Sequence, residues 1–239
     1  MRLPTIQGII RRRILVNFRA DPDVVQKQLP VQFRPKLQNG HAIVGVCLIR
    51  LEHLRPKMVP SFAGLSSENA AHRIAVQWND DTGREHEAVF IPRRDTNSPV
   101  NLLMGGRIFP GEHHRAAFHV RETPAGISFA MRSADHEVAV ALEASVSPAL
   151  PNDSVFSSLS DASAFFERGS LGYSLTHTTG KLDGLRLKTR NWKVEPLTVR
   201  MVSSSYFSDK SHFPPGSIQF DHALIMRDIS HEWYTIAAP

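Results

Sequence analysis

Hydrophobic and polar positions alternate with a period of two over most of the chain, the pattern of strands with one face buried. Ile14, Val16 and Phe18 alternate with Leu15, Asn17 and Arg19. Asp21-Pro22-Asp23 then supplies a cap, a first-turn proline and a first-turn acid, which predicts a short helix to Leu29, stopped by Pro30. Asn39-Gly40 is a tight-turn signal leading into a strand from His41 to Leu51. Val44 to Ile49 is apolar at every position, which places that strand centrally in a sheet. Ala70 to Trp78 and Glu85 to Ile91 flank Asn79-Asp80-Asp81-Thr82-Gly83 as a hairpin, and Arg55 to Gly64, with two prolines, reads as an irregular crossing.

Farther along, Ser98-Pro99 opens a brief helix through Met104, ended by Gly105-Gly106. Arg115 to Arg121, Ile127 to Ser133 and Glu137 to Val146 form a meander. A helix over Ser160 to Arg168 closes at Gly169, and strands return at Gly172 to His177, Leu185 to Trp192, Leu197 to Val202 and Ser217 to Met226. No linker or repeat interrupts this order, so residues 1–239 read as a single domain. Some ten strands with a few short helices exclude a doubly wound sheet. The fold class is mainly β (α+β), one large antiparallel sheet curled into a barrel or cone.

Composition narrows the function classes. With 41% hydrophobic residues in 239, the chain can bury a full core. Its lone cysteine, Cys47, forms no internal disulfide and reads as inert packing in an apolar strand, which fits a reducing, cytoplasmic setting. No apolar run approaches the ~18 residues of a membrane span, and Arg11-Arg12-Arg13 precedes too short an apolar stretch for a signal peptide. The net charge of +5 is dispersed, so nucleic acid is not the expected partner. Arginines outnumber lysines 21 to 7, and internal arginine forks suit a small carboxylate; surface pairing accounts for the ratio equally well.

The most polar stretch of the middle region runs from Gly105 through Arg107 to Glu112-His113-His114-Arg115. Glu112 and His113 are candidate acid/base groups, against the alternative of an ordinary solvated loop. Glu68 precedes an apolar strand and is either a surface acid or a cavity acid. Arg93 belongs to Arg93-Arg94-Asp95-Thr96, which either holds an anion or pairs its own charges. Tyr173, after Gly172, is a cavity hydroxyl or a rim residue. His113 and His119 share a strand face, yet no HExxH, CxxC or His-x-His spacing marks a metal site. Phosphate loops and a nucleophile elbow are missing too, so no cofactor is expected.

The stretches Arg11 to Phe18, Gly45 to Leu51, Leu65 to Arg73, Ile91 to Thr96, Phe109 to His114, Phe165-Phe166, Gly169 to Ser174 and Met226 to Ile229 resemble an uncharacterised bacterial domain-of-unknown-function family of the acetoacetate-decarboxylase-like superfamily. The resemblance implies a cone-like antiparallel barrel around a central cavity. Decarboxylases of that superfamily form a Schiff base on a lysine of a lysine pair that follows Phe-Pro, a use of activated lysine that is well established. Here Gly106-Arg107-Ile108-Phe109-Pro110 is followed by Gly111-Glu112-His113, without lysine, while Glu68 matches the cavity glutamate. Lys57, Lys188 and Lys193 are the remaining lysines that such a cavity could take.

Two classes of function follow. In the first, the chain binds a small anionic ligand, with Glu68, Glu112 and His113 as catalytic candidates and Arg73, Arg93, Arg107 and Tyr173 as ligand contacts. In the second, it is a non-catalytic interaction protein using a strand edge or basic face; homo-oligomers, common in the superfamily, are compatible with either.

Overall fold

The computed structural model describes residues 5–104, 111–176 and 181–236. In chain order its strands are β1 (Ile6–Ala20), β2 (Arg34–Pro35), β3 (Leu37–Gln38), β4 (His41–Pro56), β5 (Leu65–Asn79), β6 (Glu85–Thr96), β7 (His113–Thr123), β8 (Gly126–Ser133), β9 (Ala139–Val146), β10 (Leu171–Leu175), β11 (Leu182–Thr189), β12 (Glu195–Ser204) and β13 (Ile218–Ile236). Four short helices join them: α1 (Pro22–Gln26), α2 (Pro99–Met104), α3 (Leu159–Arg168) and α4 (Ser205–Ser208). None is long and apolar enough to cross a membrane. The predicted order of elements is present, with β1 and β13 several residues longer than the pattern suggested. Their charged extensions remain in the sheet because the charges pair across strands: Arg11 reaches Glu52 at 2.8 Å and Asp228 at 2.5 Å.

All strands belong to one sheet, antiparallel except where β6 pairs with β7 and with β10. The sheet closes twice. Following β13-β1-β4-β5-β6 and continuing through β7, β8, β9 and β12 returns to β13, a ring of nine strands. Leaving β6 through β10 and β11 also returns to β13, a smaller ring of seven. Five strands are therefore shared, with one face in each ring.

The period-two pattern of the shared strands sorts side chains between the rings. Ile14, Val16, Val44, Val46, Ala70 and Ile74 join Phe129, Met131, Val140 and Leu142 in a filled core inside the larger ring. The opposite face sends Leu15, Cys47 and Ala75 toward the smaller ring, where they meet Phe156, Phe165 and Phe166. Helix α3 brings the last two phenylalanines. Ser158 caps it by accepting from the Asp161 amide at 3.1 Å, Asp161 sits in its first turn and Arg168 in its last. The helix plugs part of the smaller ring and leaves the rest open.

Two buried histidines make stability pH-dependent. His72 is fully buried and its pKa is pushed down to about 3 by desolvation and the charge of Arg93. Burial and Arg13 lower His231 to about 4. Both bind protons more weakly folded than unfolded, so their contribution is complete above pH ~6.5 and shrinks as pH falls toward those values. The urea midpoint should drop between pH 7 and pH 5 by an amount worth roughly 1 kcal/mol per histidine per pH unit. His72→Gln should flatten that slope, and an unchanged midpoint at pH 5 would contradict the assignment.

Candidate functional site

All seven strands of the smaller ring contribute to a cavity of about 140 Å³. That is roughly ten times the ~10–15 Å³ required by one water, so a small organic molecule fits. Its wall is mostly apolar, with Leu51, Leu185, Leu187 and Trp233 among the lining residues. Against that background stand Arg13, Arg73, Arg94, His113 and Cys47.

Two rows of residues, each running across neighbouring strands, position these groups. The first is Cys47 on β4, Ala71 on β5, Arg94 on β6 and His113 on β7, each paired in register with the next. Ala71 is small, so the floor between the thiol and the guanidinium stays low. Arg94 donates from Nε to Ser174 Oγ at 3.2 Å, while its Nη2 is shielded from solvent without a hydrogen-bond partner. His113 is fixed through Nδ1 against Gly111 O at 3.1 Å. Burial and the Arg94 charge push its pKa down to about 3, so its ring is neutral near pH 7.

The second row is Arg73 on β5, Gly45 on β4, Asn17 on β1 and His222 on β13. With no side chain at Gly45, the Arg73 guanidinium crosses β4 and donates from Nη2 to Asn17 Oδ1. The Asn17 amide nitrogen lies 2.9 Å from His222 Nε2, and His222 Nδ1 lies 2.5 Å from Asp221 Oδ2. Because Asn17 Oδ1 accepts from the guanidinium, its NH₂ must donate to Nε2, which leaves the imidazole proton on Nδ1 facing Asp221. Arg73 is further held over the Phe166 ring at 4.8 Å, and its Nε is buried without a partner.

Arg13 completes the set, donating from Nε to Cys47 Sγ at 3.2 Å. Among the described residues no carboxylate lies within ion-pair distance of Arg13, Arg73 or Arg94. Asp95, the carboxylate in the wall, is engaged by Arg93 at 3.0 Å. Desolvation lowers both Arg73 and Arg94 to about 10, still charged at neutrality. The cavity is thus a mostly apolar pocket with three guanidiniums and, among the described residues, no free counter-charge in its wall, an arrangement that stabilises an anion.

A family model described as "Uncharacterized conserved protein" (DUF2071) matches residues 9–221. The chain belongs to that family. No curated protein sequence matches this DUF2071 chain. Among solved structures it is similar to acetoacetate decarboxylase from Legionella pneumophila, with 12% identity and a TM-score of 0.67 over 99% of this chain and 88% of that one. An acetoacetate-decarboxylase-like enzyme from Sphingomonas wittichii is 14% identical, with a TM-score of 0.58 over 98% and 93% of the two chains. The enduracididine biosynthesis enzyme MppR, solved in complex with pyruvate, is 10% identical, with a TM-score of 0.57 over 97% and 87%. At these identities the likeness establishes a common fold, the acetoacetate-decarboxylase-like cone.

The residues singled out from the DUF2071 sequence are not all brought together. His113 and Arg73 line the cavity. Glu68 is buried but on the opposite face of β5, where it meets Arg12 at 2.7 Å and Arg50 at 3.3 Å. The alternation that sends Arg73 to the small ring sends residue 68 to the large one, which corrects its reading as an acid of this cavity. Glu112 is exposed beside His113 and outside the lining. Arg93 pairs with Asp95, Asp135 at 2.7 Å and Glu137 at 2.8 Å, so its fork is used within the protein. Tyr173 packs against Phe33 and Trp78 at 5.7 and 5.5 Å, while its neighbour Gly172 lines the cavity. Arg107 lies outside the described residues. Arg94, Arg13 and Cys47 were missed as site residues; a signal existed for Arg94, since adjacent strand residues face opposite ways and Arg93 and Arg94 cannot share one role.

Proposed function

We propose that this chain binds a small organic anion, a carboxylate or keto acid, in the seven-strand cavity, and that it does so without a Schiff-base lysine. The observation that carries the reading is Arg94, a charged fork in a mostly apolar wall with a shielded N–H that has no partner. Arg73 and Arg13 add charge, and His113, held neutral beside Arg94, adds a polar ring to the same wall. A relative of the same fold holds pyruvate, which supports a keto acid as the ligand class. None of the seven lysines lines the cavity: Lys36 is paired with Glu87 at 2.6 Å, Lys57 with Glu232 at 3.0 Å, and Lys188 borders a separate groove. An imine needs an amine in reach, and here the wall offers imidazole and guanidinium instead.

Thermal unfolding with pyruvate and acetoacetate tests this. At about a hundred times Kd, a ligand of the native state adds ~2.7 kcal/mol, a rise of several degrees in Tm. Arg94→Met should abolish that rise. It should also leave the ligand-free protein about as stable, because a half-buried cation without a counter-charge is removed. Borohydride added with acetoacetate should leave the protein mass unchanged. An adduct on any lysine, or an undiminished Tm rise in the Arg94 variant, would overturn the proposal.

A further inference from the structure

We propose that Cys47 is a covalent capture site, its thiol adding to the electrophilic carbon of a small anion whose carboxylate the cavity arginines hold. This rests on the anion-binding reading and adds to it a reactive group and a preference for keto acids over simple carboxylates. Cys47 is the single cysteine of the chain, and it is one of the residues lining the cavity. A structural cysteine is usually packed among apolar atoms. This one is packed among apolar residues and in addition accepts an N–H from Arg13 at 3.2 Å, and two further guanidiniums, Arg73 and Arg94, line the same cavity.

An independent observation points to a ligand in that space. Arg73 is only 4% exposed, and its Nε, like Nη2 of Arg94, is shut off from solvent with nothing to bond. Buried N–H groups of this kind are rare and expensive without a partner. A carboxylate oxygen in the cavity would supply one. The row Cys47–Ala71–Arg94 fixes the separation of the two backbones at two strand spacings, about 10 Å. A two- or three-carbon keto acid lying over Ala71, carboxylate toward Arg94, presents its carbonyl carbon toward Sγ.

The step requires no other reactant. A sulfur–carbon bond forms as the carbonyl π bond breaks onto oxygen, and the thiol proton passes to that oxygen, giving a thiohemiketal. Arg13 balances charge on sulfur while the proton is in transit, and loss of the proton from oxygen reverses the addition.

Alkylation of the native protein with iodoacetate and with iodoacetamide, followed by intact mass, is the test. Each forms a carbon–sulfur bond and releases iodide, and a lone cysteine makes the site unambiguous. Recruitment of the anion by the arginines should make iodoacetate faster than iodoacetamide by about tenfold or more. Pyruvate should protect, Arg94→Met should erase the preference, and the urea-unfolded chain should lack it. Equal or slower reaction with iodoacetate, or no reaction in the folded protein, would overturn the inference. The thermal shift with pyruvate separates the two readings. If the shift is present without selective alkylation, the anion site stands and the covalent role of Cys47 falls; if both are absent, both fall. Cys47→Ser supplies a second check, since it should lower the affinity for pyruvate to that for lactate, and an unchanged excess for pyruvate would refute capture.

Discussion

Glu68→Leu is expected to cost the fold about 3–5 kcal/mol, the usual penalty for stripping one partner from a buried ion pair, while anion binding in the small ring persists. Arg12 and Glu68 meet at 2.7 Å with side chains only 4% and 8% exposed. Arg12 already has one nitrogen, Nε, buried without a partner. Glu122 stands 3.6 Å away at a more exposed position and compensates poorly. Arg12 also lies 6.0 Å over the Phe129 ring, so the loss would leave a cation on an aromatic floor inside the larger ring. The double variant with Arg12→Met should recover most of the loss, because replacing both charges restores an apolar contact. Urea denaturation of the two single variants and the double measures this. A Glu68 variant of normal stability that no longer binds pyruvate would instead return the carboxylate to the ligand site.

Gly45→Ala carries the second large effect. A Cβ there would lie 2.2 Å from the carbonyl oxygen of Val16, a backbone atom in the neighbouring central strand. Neither strand can withdraw, since each is bonded on both sides. The cost is about 3 kcal/mol or more, at or beyond the upper range for overpacked sites. The nearest atoms to that methyl are backbone atoms of Val16 and Asn17, so relief of the clash would shift Asn17, the residue that accepts from Arg73, and any folded fraction should bind pyruvate weakly. Gly40→Ala makes the comparison: its φ of +78° disfavours alanine, but no atom lies within 4 Å of the added carbon. That change should cost only about 1 kcal/mol. Urea midpoints and pyruvate thermal shifts of both variants check the contrast, and equal stabilities would refute the clash.

Strands and helix caps were legible because local chemistry specifies them. Asp21-Pro22 marks the start of its helix and Gly169 the end of the one read over Ser160 to Arg168, though the cap of the latter lies two residues earlier, at Ser158. The single-ring picture was not adequate, since the second closure depends on β10 pairing with β6 and β11 with β13, contacts between segments far apart in sequence. That closure moved the hollow away from Glu68 and toward the odd-numbered side of β5. Cys47 is packed in an apolar cluster as its strand suggested, but that it also lines the pocket was hidden for the same reason. An apolar strand looks equally buried whether its far face meets packed phenylalanines or an open pocket. Arg93 and Arg94 differ only in which way the pleat turns them, and the loop between β6 and β7 gave no clue to that phase.

The five-strand partition has a consequence for how such a protein changes over evolutionary time. On β5, Arg73 and Ile74 are neighbours in the gene but occupy different compartments, so the pocket's chemistry can be rewritten at alternate codons while the packed compartment is left untouched. The hazard is the converse: a one-residue slip of that strand would drive a guanidinium into oil and drop an isoleucine into the binding chamber, ruining both compartments at once.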